Sequence, residues 1–273
     1  MKDGREHVGT LHHPHFSATV FRRRAVEQML DLLVGGLEMS TQGAHFLSRS
    51  CYTSNAAYYS ALRRLDKKGL IVRYHGKRRE RVIALTPQGK SATSIVCRKK
   101  EPWPRKWNGI WYLLTYDVPE ANRSYRDTLR HFLKRMRMGG LQKSLWISPK
   151  DIRPEYDDLS EAINVDLHSF LFETRSVLGR PASEIVYRAW NWNRLNVGQE
   201  WYITTCNKKL EQLRSDLLSQ EELCTLAREE LALYTACMHD DPLLPRPLWP
   251  SDYRGYRAWQ LHRRFVAELS HKM

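Results

Sequence analysis

The hydrophobic periodicity changes from helical to strand-like between Arg24 and Leu85, and this change constrains the fold more than any other feature of the chain. Apolar residues first recur at the i, i+3, i+4 and i+7 positions of a helix, and Gly35-Gly36 interrupts the first such stripe. They later form two short runs rich in β-branched residues, as strands do. The pattern predicts helices over 24–34, 41–50 and 53–68, strands over 70–74 and 81–85, and a further helix from Thr86-Pro87.

The turn between the two predicted strands, His75-Gly76-Lys77-Arg78-Arg79, is strongly basic. Three short helices followed by a basic hairpin are typical of winged helix-turn-helix DNA-binding domains. The third helix can enter the major groove, where outward side chains reach base edges, and cations at the hairpin tip can contact phosphates. The alternative for the hairpin is a solvated basic loop at a protein interface.

Helical spacing divides the third helix into a buried and an outward side. The inward stripe is expected to comprise Tyr58, Ala61, Leu62 and Leu65. The residues expected to contact DNA from the helix are Tyr52, Thr53, Asn55, Ala56, Tyr59, Ser60, Arg63 and Lys67. Those expected to do so from the hairpin are Lys77, Arg78, Arg79 and Arg81.

The positive charge is concentrated in the same part of the chain. The protein has a net charge of +14, and residues 1–105 hold 20 Lys or Arg against 8 Asp or Glu, whereas residues 106–273 hold 24 against 22. A basic module joined to a nearly neutral remainder indicates a polyanionic partner. Together with the helix and hairpin pattern, this charge distribution predicts binding to double-stranded DNA.

A second module begins near Trp107, where the apolar run GIWYLLTYDV predicts a strand buried on both faces. A helix, a strand over 141–148, a second helix and a strand over 167–174 follow, and Gly139-Gly140 is interpreted as the end of the first helix. This order predicts a ferredoxin-like α+β domain with three of its four usual strands recognised. Its strand edges are the expected surface for a homodimer.

Residues 182–273 are predicted to be mainly helical because leucines recur at helical spacing over 210–231. Tryptophans are frequent here, either as a core of large side chains or as an apolar pocket for an aryl or acyl group. A CoA-type ligand also needs cations for its phosphates. The candidate effector-binding residues are Arg175, Arg188, Trp190 and Trp192.

Several ordered strings carry a resemblance to a known family. These are W-Y-x-x-x-Y-D-V-P-E from Trp111, G-G-L-Q-K-S-L-W-I-S-P-K-D from Gly139, and D-P-L-L-P-x-x-L-W-P-S-D-Y-R-G-Y-x-A over 241–258. With the winged helix in front, they resemble the phenylacetate-catabolism repressor (PaaX) family over residues 24–268. The resemblance implies a cytoplasmic, dimeric transcriptional repressor at a palindromic operator, released by an effector such as an aryl- or acyl-CoA.

The string Tyr116-Asp117-Val118 departs from many PaaX sequences and resembles the ferredoxin-like nuclease subunits of CRISPR adaptation. In that family, two such aspartates of a dimer are proposed to hold a divalent metal, which prefers carboxylate oxygens. A metal-dependent nuclease or CRISPR-associated factor using Asp117 is therefore the alternative function, and a nucleic-acid-binding scaffold without effector or catalysis is a third. The simpler interpretation is an aspartate that closes a turn before Pro119.

Other chemistry has little support in the sequence. The phosphate-binding, nucleophile and zinc motifs of common enzymes are absent, so we expect neither enzymatic activity nor a cofactor. Five scattered cysteines and no long apolar run indicate a cytoplasmic protein without a membrane span. The predicted division is a mobile arm over 1–22, a winged helix over 23–97, a linker over 98–106, a ferredoxin-like dimerisation domain over 107–181 and a helical domain over 182–273, which is the candidate effector-binding domain.

Overall fold

The computed structural model describes residues 55–75, 81–92, 101–119, 123–163, 168–177, 179–214 and 218–272. Contacts divide the chain into two compact units. The first contains the described residues within Met1–Pro102, Val197–His239 and Arg254–Met273. The second contains those within Trp103–Asn196 and Asp240–Tyr253. Each unit is therefore assembled from segments that are distant in sequence.

The described part of the winged helix, in the first unit, begins with helix α1, Asn55–Lys67. An antiparallel hairpin of β1, Ile71–His75, and β2, Arg81–Leu85, follows it, and helix α2 is Pro87–Ala92. Over the described residues, these elements confirm the second half of the predicted pattern within one residue. The two helices predicted over 24–34 and 41–50, and the tip of the hairpin, lie outside the described residues.

The C-terminal region is mainly helical, as predicted. Helix α6 is Trp192–Arg214, α7 is Gln220–Cys237 and α8 is Gly255–Lys272. Ser219 begins α7 with a capping box: its hydroxyl accepts from the Glu222 N–H, and the Glu222 carboxylate accepts from the Ser219 N–H. The first unit uses α7, α8 and the part of α6 that follows Asn196.

The second unit contains a four-stranded antiparallel sheet in the order β4-β5-β3-β6. Its elements follow the chain as strand, helix, two strands, helix, strand, which is the complete ferredoxin-like arrangement. In sequence order they are β3 Trp111–Tyr116, α3 Arg123–Arg135, β4 Gly139–Gly140, β5 Leu145–Ser148, α4 Arg153–Ile163 and β6 Ser169–Thr174. Helix α5, Ala182–Ala189, follows the sheet.

The fourth strand is the pair Gly139–Gly140, so the interpretation of these glycines as only a helix end was wrong. Helix α3 already ends at Arg135, and Gly139 pairs with Ile147 of β5. A β-carbon on Gly139 would lie 2.6 Å from the Ala189 β-carbon of α5. The glycine is therefore explained by the close approach of α5 to the strand. The strand predicted over 141–148 is also shorter than expected, beginning at Leu145.

Strand β3 is buried on both of its faces, as predicted. On one face, Tyr112 and Leu114 pack with Leu129 and Phe132 of α3 and with Tyr156 of α4. On the other face, the core contains Trp111 of β3 with residues from β5, α5, the α5–α6 connection, α6 and the 240–253 segment: Ile147, Ile185, Val186, Trp190, Trp192, Leu195, Leu244 and Leu248. The 240–253 segment thus covers part of a sheet face that ferredoxin-like folds usually leave open.

The described end of the segment predicted as a linker, 101–106, is anchored to the second unit from Trp103 onwards. The Trp103 side chain is buried and packs edge-on against Trp249 and Tyr253, at centroid distances of 5.8 and 6.2 Å. The Arg246 N–H donates to the Pro104 carbonyl oxygen at 3.0 Å. These contacts attach the start of the second unit, at Trp103 and Pro104, to the 240–253 segment.

Candidate nucleic-acid interface

Helix α1 has a buried side and an outward polar side, as its spacing predicts. Leu62 and Leu65 are buried and form a small core with Ile71 and Ile83 of the hairpin. Tyr59 is half-buried and packs against this core, although its position suggested the flank of the outward face. The apolar anchor fixes the helix against the hairpin and leaves the opposite side available.

The outward side of α1 brings together four of the predicted DNA-contacting residues. Ala56, Arg63 and Lys67 are exposed, and Ser60 is half-buried. The described part of the helix contains one acidic residue, Asp66. A helix surface of small and cationic side chains suits a groove lined by base edges and phosphates.

The carboxylate of Asp66 binds a residue of the hairpin, so it does not add negative charge to the outward side of α1. Its carboxylate accepts from the Arg73 guanidinium of β1, with the Nε–Oδ2 distance at 3.0 Å. The helix then ends through Gly69, whose φ of +66° is left-handed and whose N–H donates to the Asp66 carbonyl oxygen. The ion pair and the turn together fix the direction in which β1 leaves the helix.

The return strand is attached at its far end by Thr86. The Thr86 N–H donates to the Leu70 carbonyl oxygen at 3.1 Å, and its hydroxyl donates to the Gly69 carbonyl oxygen at 2.6 Å. The same hydroxyl oxygen accepts from the Gly89 N–H and so caps α2. Both ends of the hairpin are therefore bonded to the turn that closes α1.

The structure leaves part of the predicted interface undescribed. Tyr52, Thr53, Lys77, Arg78 and Arg79 lie outside the described residues. For Asn55 and Arg81, the backbone is described as the first residue of α1 and of β2, and the side chains are not.

The four effector candidates divide into two buried rings and two exposed cations. The Trp190 indole N–H donates to the Arg137 carbonyl oxygen at 3.2 Å, and the Trp192 indole N–H donates to the Val186 carbonyl oxygen at 2.8 Å. Both rings belong to the core of the second unit. Arg175 and Arg188 are exposed, and Arg188 lies 3.6 Å from Glu184 in α5.

The Asp117 carboxylate is exposed at the end of β3, and its backbone N–H donates to the His168 carbonyl oxygen at 2.8 Å. This bond extends the pairing of β3 with β6 by one residue. Across the part of the chain that the structure describes, no group of three or more His, Cys, Asp or Glu side chains is placed to hold a metal ion.

Comparison with protein families identifies two domains in the chain after residue 103. Residues 104–186 match the PaaX protein central Cas2-like domain, and residues 190–273 match the PaaX-like protein C-terminal domain. The two matches together span more than half of the chain. The chain belongs to the PaaX family. PaaX proteins are transcription regulators, so this chain is a PaaX-type regulator.

One solved structure is similar over most of this PaaX chain. It is the uncharacterized protein Rv0674 from Mycobacterium tuberculosis, with a TM-score of 0.52 and 18% sequence identity. The alignment covers 89% of this chain and 94% of that one, and it supports the fold alone. No curated protein sequence matches the chain. None of the described helices is long and apolar enough to cross a membrane.

Sequence reasoning missed a pair of exposed rings in the central domain of this PaaX protein. Phe170 and Phe172 are 67% and 52% exposed, although they lie in a strand, and their centroids are 6.3 Å apart. They share one face of β6, which is an edge strand of the sheet. The alternation in S-F-L-F-E-T could have shown that the two rings share a face, but not that the face is open.

A buried polar cluster in the first unit was also missed. The Tyr202 hydroxyl of α6 donates to the Glu230 carboxylate of α7 at 2.5 Å, and the His262 Nδ1 of α8 lies 2.9 Å from the same oxygen. Burial and the nearby Glu230 carboxylate raise the pKa of Tyr202, and they raise that of the Cys206 thiol to about 12. Cys206 is therefore protonated and unreactive at neutral pH.

Proposed function

We propose that this PaaX-type regulator is a dimeric, DNA-binding repressor that leaves its operator when it binds a small acidic effector. The observation that carries DNA binding is the outward face of α1, which presents Arg63 and Lys67 while Leu62 and Leu65 hold the helix against the hairpin. The concentration of positive charge in residues 1–105 supports the same partner.

The test uses a duplex selected from a randomised pool by the purified protein, together with an unrelated duplex. Arg63→Ala is expected to weaken binding to the selected duplex by about 1–3 kcal/mol and to relax the preference at one base position. Arg78→Ala is expected to weaken binding to both duplexes about equally. Lys208→Ala, at an exposed cation in the C-terminal part of the chain, is the control. Unchanged binding by Arg63→Ala and Arg78→Ala would refute helix-and-hairpin docking.

The dimer is proposed to form through the sheet edge that carries Phe170 and Phe172. Two large exposed rings on an edge strand make a surface that water solvates poorly, and the outer side of an edge strand can add a strand from a partner. A two-fold dimer carries two copies of α1, one for each half of a palindromic operator.

Light scattering of the full chain tests this edge. Phe170→Ser with Phe172→Ser is expected to shift the protein from dimer to monomer without loss of helical signal. Val197→Ser is the matched control, because Val197 is also an exposed apolar residue but lies in α6. If the protein with Phe170→Ser and Phe172→Ser stays fully dimeric, the dimer interface does not include this edge.

The effector is proposed to be an aryl- or acyl-CoA, on the strength of the family resemblance and of the exposed cations Arg175 and Arg188. Titration of a labelled protein–DNA complex with phenylacetyl-CoA is expected to release the DNA, whereas free CoA is not. Arg175→Ala with Arg188→Ala is expected to raise the concentration needed for release. Retention of the complex at saturating concentrations of several acyl-CoA thioesters would exclude this class of effector.

The competing nuclease function rests on the exposed carboxylate of Asp117. Under the repressor proposal, neither the wild type nor Asp117→Asn cleaves DNA or RNA in the presence of magnesium or manganese, and both bind the selected duplex. Metal-dependent cleavage by the wild type that disappears in Asp117→Asn, with duplex binding intact, would overturn the proposal, because a neutral amide is a poor ligand for a hard cation.

A further inference from the structure

The two helices of the ferredoxin-like domain form a single outward layer. Leu129, Phe132 and Leu133 of α3 and Tyr156 of α4 join one core cluster on the same face of the sheet. The sides of α3 and α4 that point away from this core therefore belong to one surface of the second unit.

The half of this layer formed by α3 is basic. Its sequence, RSYRDTLRHFLKR, holds five Lys or Arg and one Asp. The side chains of Arg130, Lys134 and Arg135 are exposed, and Asp127 is the acidic residue among them. The His131 ring lies beside them, with its Nδ1 at 2.7 Å from the Asp127 carbonyl oxygen.

The half formed by α4 is acidic. Its sequence, RPEYDDLSEAI, holds four Asp or Glu and one Arg. Asp157 and Asp158 are exposed. The one cation, Arg153, is engaged by carboxylates next to it, since its guanidinium binds Asp151 at 2.7 Å and Glu173 at 3.2 Å. The surface charge of the layer thus changes sign from one helix to the other.

A partner for this layer must carry both signs of charge. A nucleic acid would be attracted to α3 and repelled by the carboxylates of α4, which lie on the same layer, because charges interact over a screening length of about 8–10 Å. A second copy turned by a two-fold axis places its α4 against α3 and its α3 against α4, so that both halves meet the opposite charge.

We propose that the helix layers of two copies of this chain associate face to face through this complementary pairing. The surface is distinct from the edge that carries Phe170 and Phe172. Those rings align with Leu113 and Thr115, whereas the layer packs on the face of Tyr112 and Leu114, and successive strand residues point to opposite faces. Together with the proposed dimer at the β6 edge, on which this assembly rests, a second two-fold contact perpendicular to the first closes two dimers into a tetramer.

The contact is expected to be weak and dependent on salt. At 1.5 Å per residue, the two helices are only about 16–20 Å long, so the interface falls in the range of small transient contacts. Exposed ion pairs contribute little each and are screened by salt. Association of dimers should weaken at least about tenfold between about 50 and about 300 mM salt, while the dimer itself persists.

Sedimentation velocity of the full chain, over a range of protein concentrations at low salt, tests the pairing with two charge-reversal variants. Arg130→Glu with Lys134→Glu makes the layer acidic throughout, and Asp157→Lys with Asp158→Lys makes it basic throughout. Each variant alone is expected to stay dimeric, because its layers repel each other. An equimolar mixture of the two is expected to regain the tetramer, and so is the chain that carries all four substitutions.

Lys208→Glu, at an exposed cation outside the layer, is the control and should associate like the wild type. A wild type that stays dimeric at low salt would overturn the proposal, and so would tetramers in either single-helix variant or a mixture that fails to reassociate. If Arg130→Glu with Lys134→Glu lost duplex affinity and still formed tetramers, the basic helix would instead be a nucleic-acid surface. Each of these results leaves the dimer at the β6 edge unaffected.

Discussion

A missing side chain at Gly139 allows β4 and α5 to pack in direct contact. A β-carbon there would lie 2.6 Å from the Ala189 β-carbon and 2.7 Å from the Trp190 ring, closer than such atoms approach in proteins. The Trp190 indole also donates to the Arg137 carbonyl oxygen, which restricts its freedom to move away. One methyl group at this position therefore has to displace a bonded ring.

Gly139→Ala is expected to lower the free energy of unfolding by about 1–3 kcal/mol, as overpacking does in well-packed cores. The matched control is Gly140→Ala, where the nearest atom, in the Trp146 ring, would lie 4.0 Å away. Urea denaturation followed by circular dichroism measures both changes. Equal stabilities for the two variants would mean that α5 can shift away from β4 without lowering the free energy of unfolding.

The outward face of α1 could be predicted at the residue scale because helical spacing alone determines which side chains share a side. Arg63 and Lys67 are exposed and Leu62 and Leu65 are buried as that spacing requires. The contact of Glu230 with His262 could not be predicted in this way. The two residues are 32 positions apart, on different helices, and no local pattern pairs them.

At the scale of the elements, helices α6, α7 and α8 converge on the carboxylate of Glu230. Glu230 and His262 are 1% and 6% exposed, and the Tyr202 hydroxyl is bonded to the same carboxylate. The His262 ring stacks on Tyr234 at a centroid distance of 3.9 Å. A buried carboxylate needs such partners, because burial without them costs several kcal/mol.

Glu230→Ala removes the acceptor from Tyr202 and His262 while leaving both groups buried. The unfolding free energy is expected to fall by about 3–5 kcal/mol. Glu221→Ala, at an exposed carboxylate of the same helix, is the control and should cost no more than about 1 kcal/mol. Chemical denaturation of the two variants compares them directly, and similar losses would show that the buried cluster contributes nothing particular.

Helices α6 and α8 are also joined by Glu268, which accepts hydrogen bonds from Arg214 and Arg264. The bond from Arg214 is the main cause that lowers the pKa of Glu268 from 4.5 to about 2. The folded state thus holds this carboxylate ionised more strongly than the unfolded chain does. Its contribution to stability is complete above pH 4.5 and disappears as the pH falls towards about 2.

Glu268→Gln is expected to cost about 1 kcal/mol of stability at neutral pH, because the site is partly exposed. The difference from the wild type should shrink as the pH falls below about 4.5, the ordinary carboxyl value. Denaturation curves at several pH values measure this difference. Glu221→Gln, at an exposed carboxylate of α7, is the control. A difference in unfolding free energy between the wild type and Glu268→Gln that stays constant across the acid range would contradict the lowered pKa of Glu268.

The order of elements could be predicted, and their exact extent could not. The buried run at β3 and the amphipathic helices α3 and α4 follow from periodicity, since each has several apolar residues on a side. Strand β4 is two residues long and consists of glycines, so it has no side-chain pattern. Its pairing with β5 is fixed by tertiary contacts that the sequence does not display.

At the scale of the molecule, the second unit depends on a segment that lies far along the chain. Residues 240–253 supply Leu244, Leu248, Trp249 and Tyr253 to its packing, and the Asp241 carboxylate accepts from the Tyr253 hydroxyl at 2.6 Å. The Arg137 side chain donates to the Asp241 carbonyl oxygen. The unit therefore becomes complete only after most of the chain has been made.

A chain that ends at residue 239 is expected to lose the compact second unit, because Trp103 and the ring of Trp192 would lose aromatic partners. A chain that ends at residue 253 lacks helix α8 as well but keeps the segment, and it serves as the matched control. Limited proteolysis should cleave the shorter chain rapidly within 103–196 and the longer one slowly. Equal protection of that region in both chains would show that the segment is dispensable.

The interrupted path of the chain also bears on how such regulators can be recombined. The backbone passes between the units after Pro102, Asn196, His239 and Tyr253. A single crossover between two related genes, placed after the central domain and before residue 240, would join a sheet from one parent to a 240–253 segment from the other. Trp103 would then face a foreign Trp249. The sheet and the 240–253 segment stay together only if no exchange falls between them, so the aromatic residues of the unit are expected to vary together among homologues.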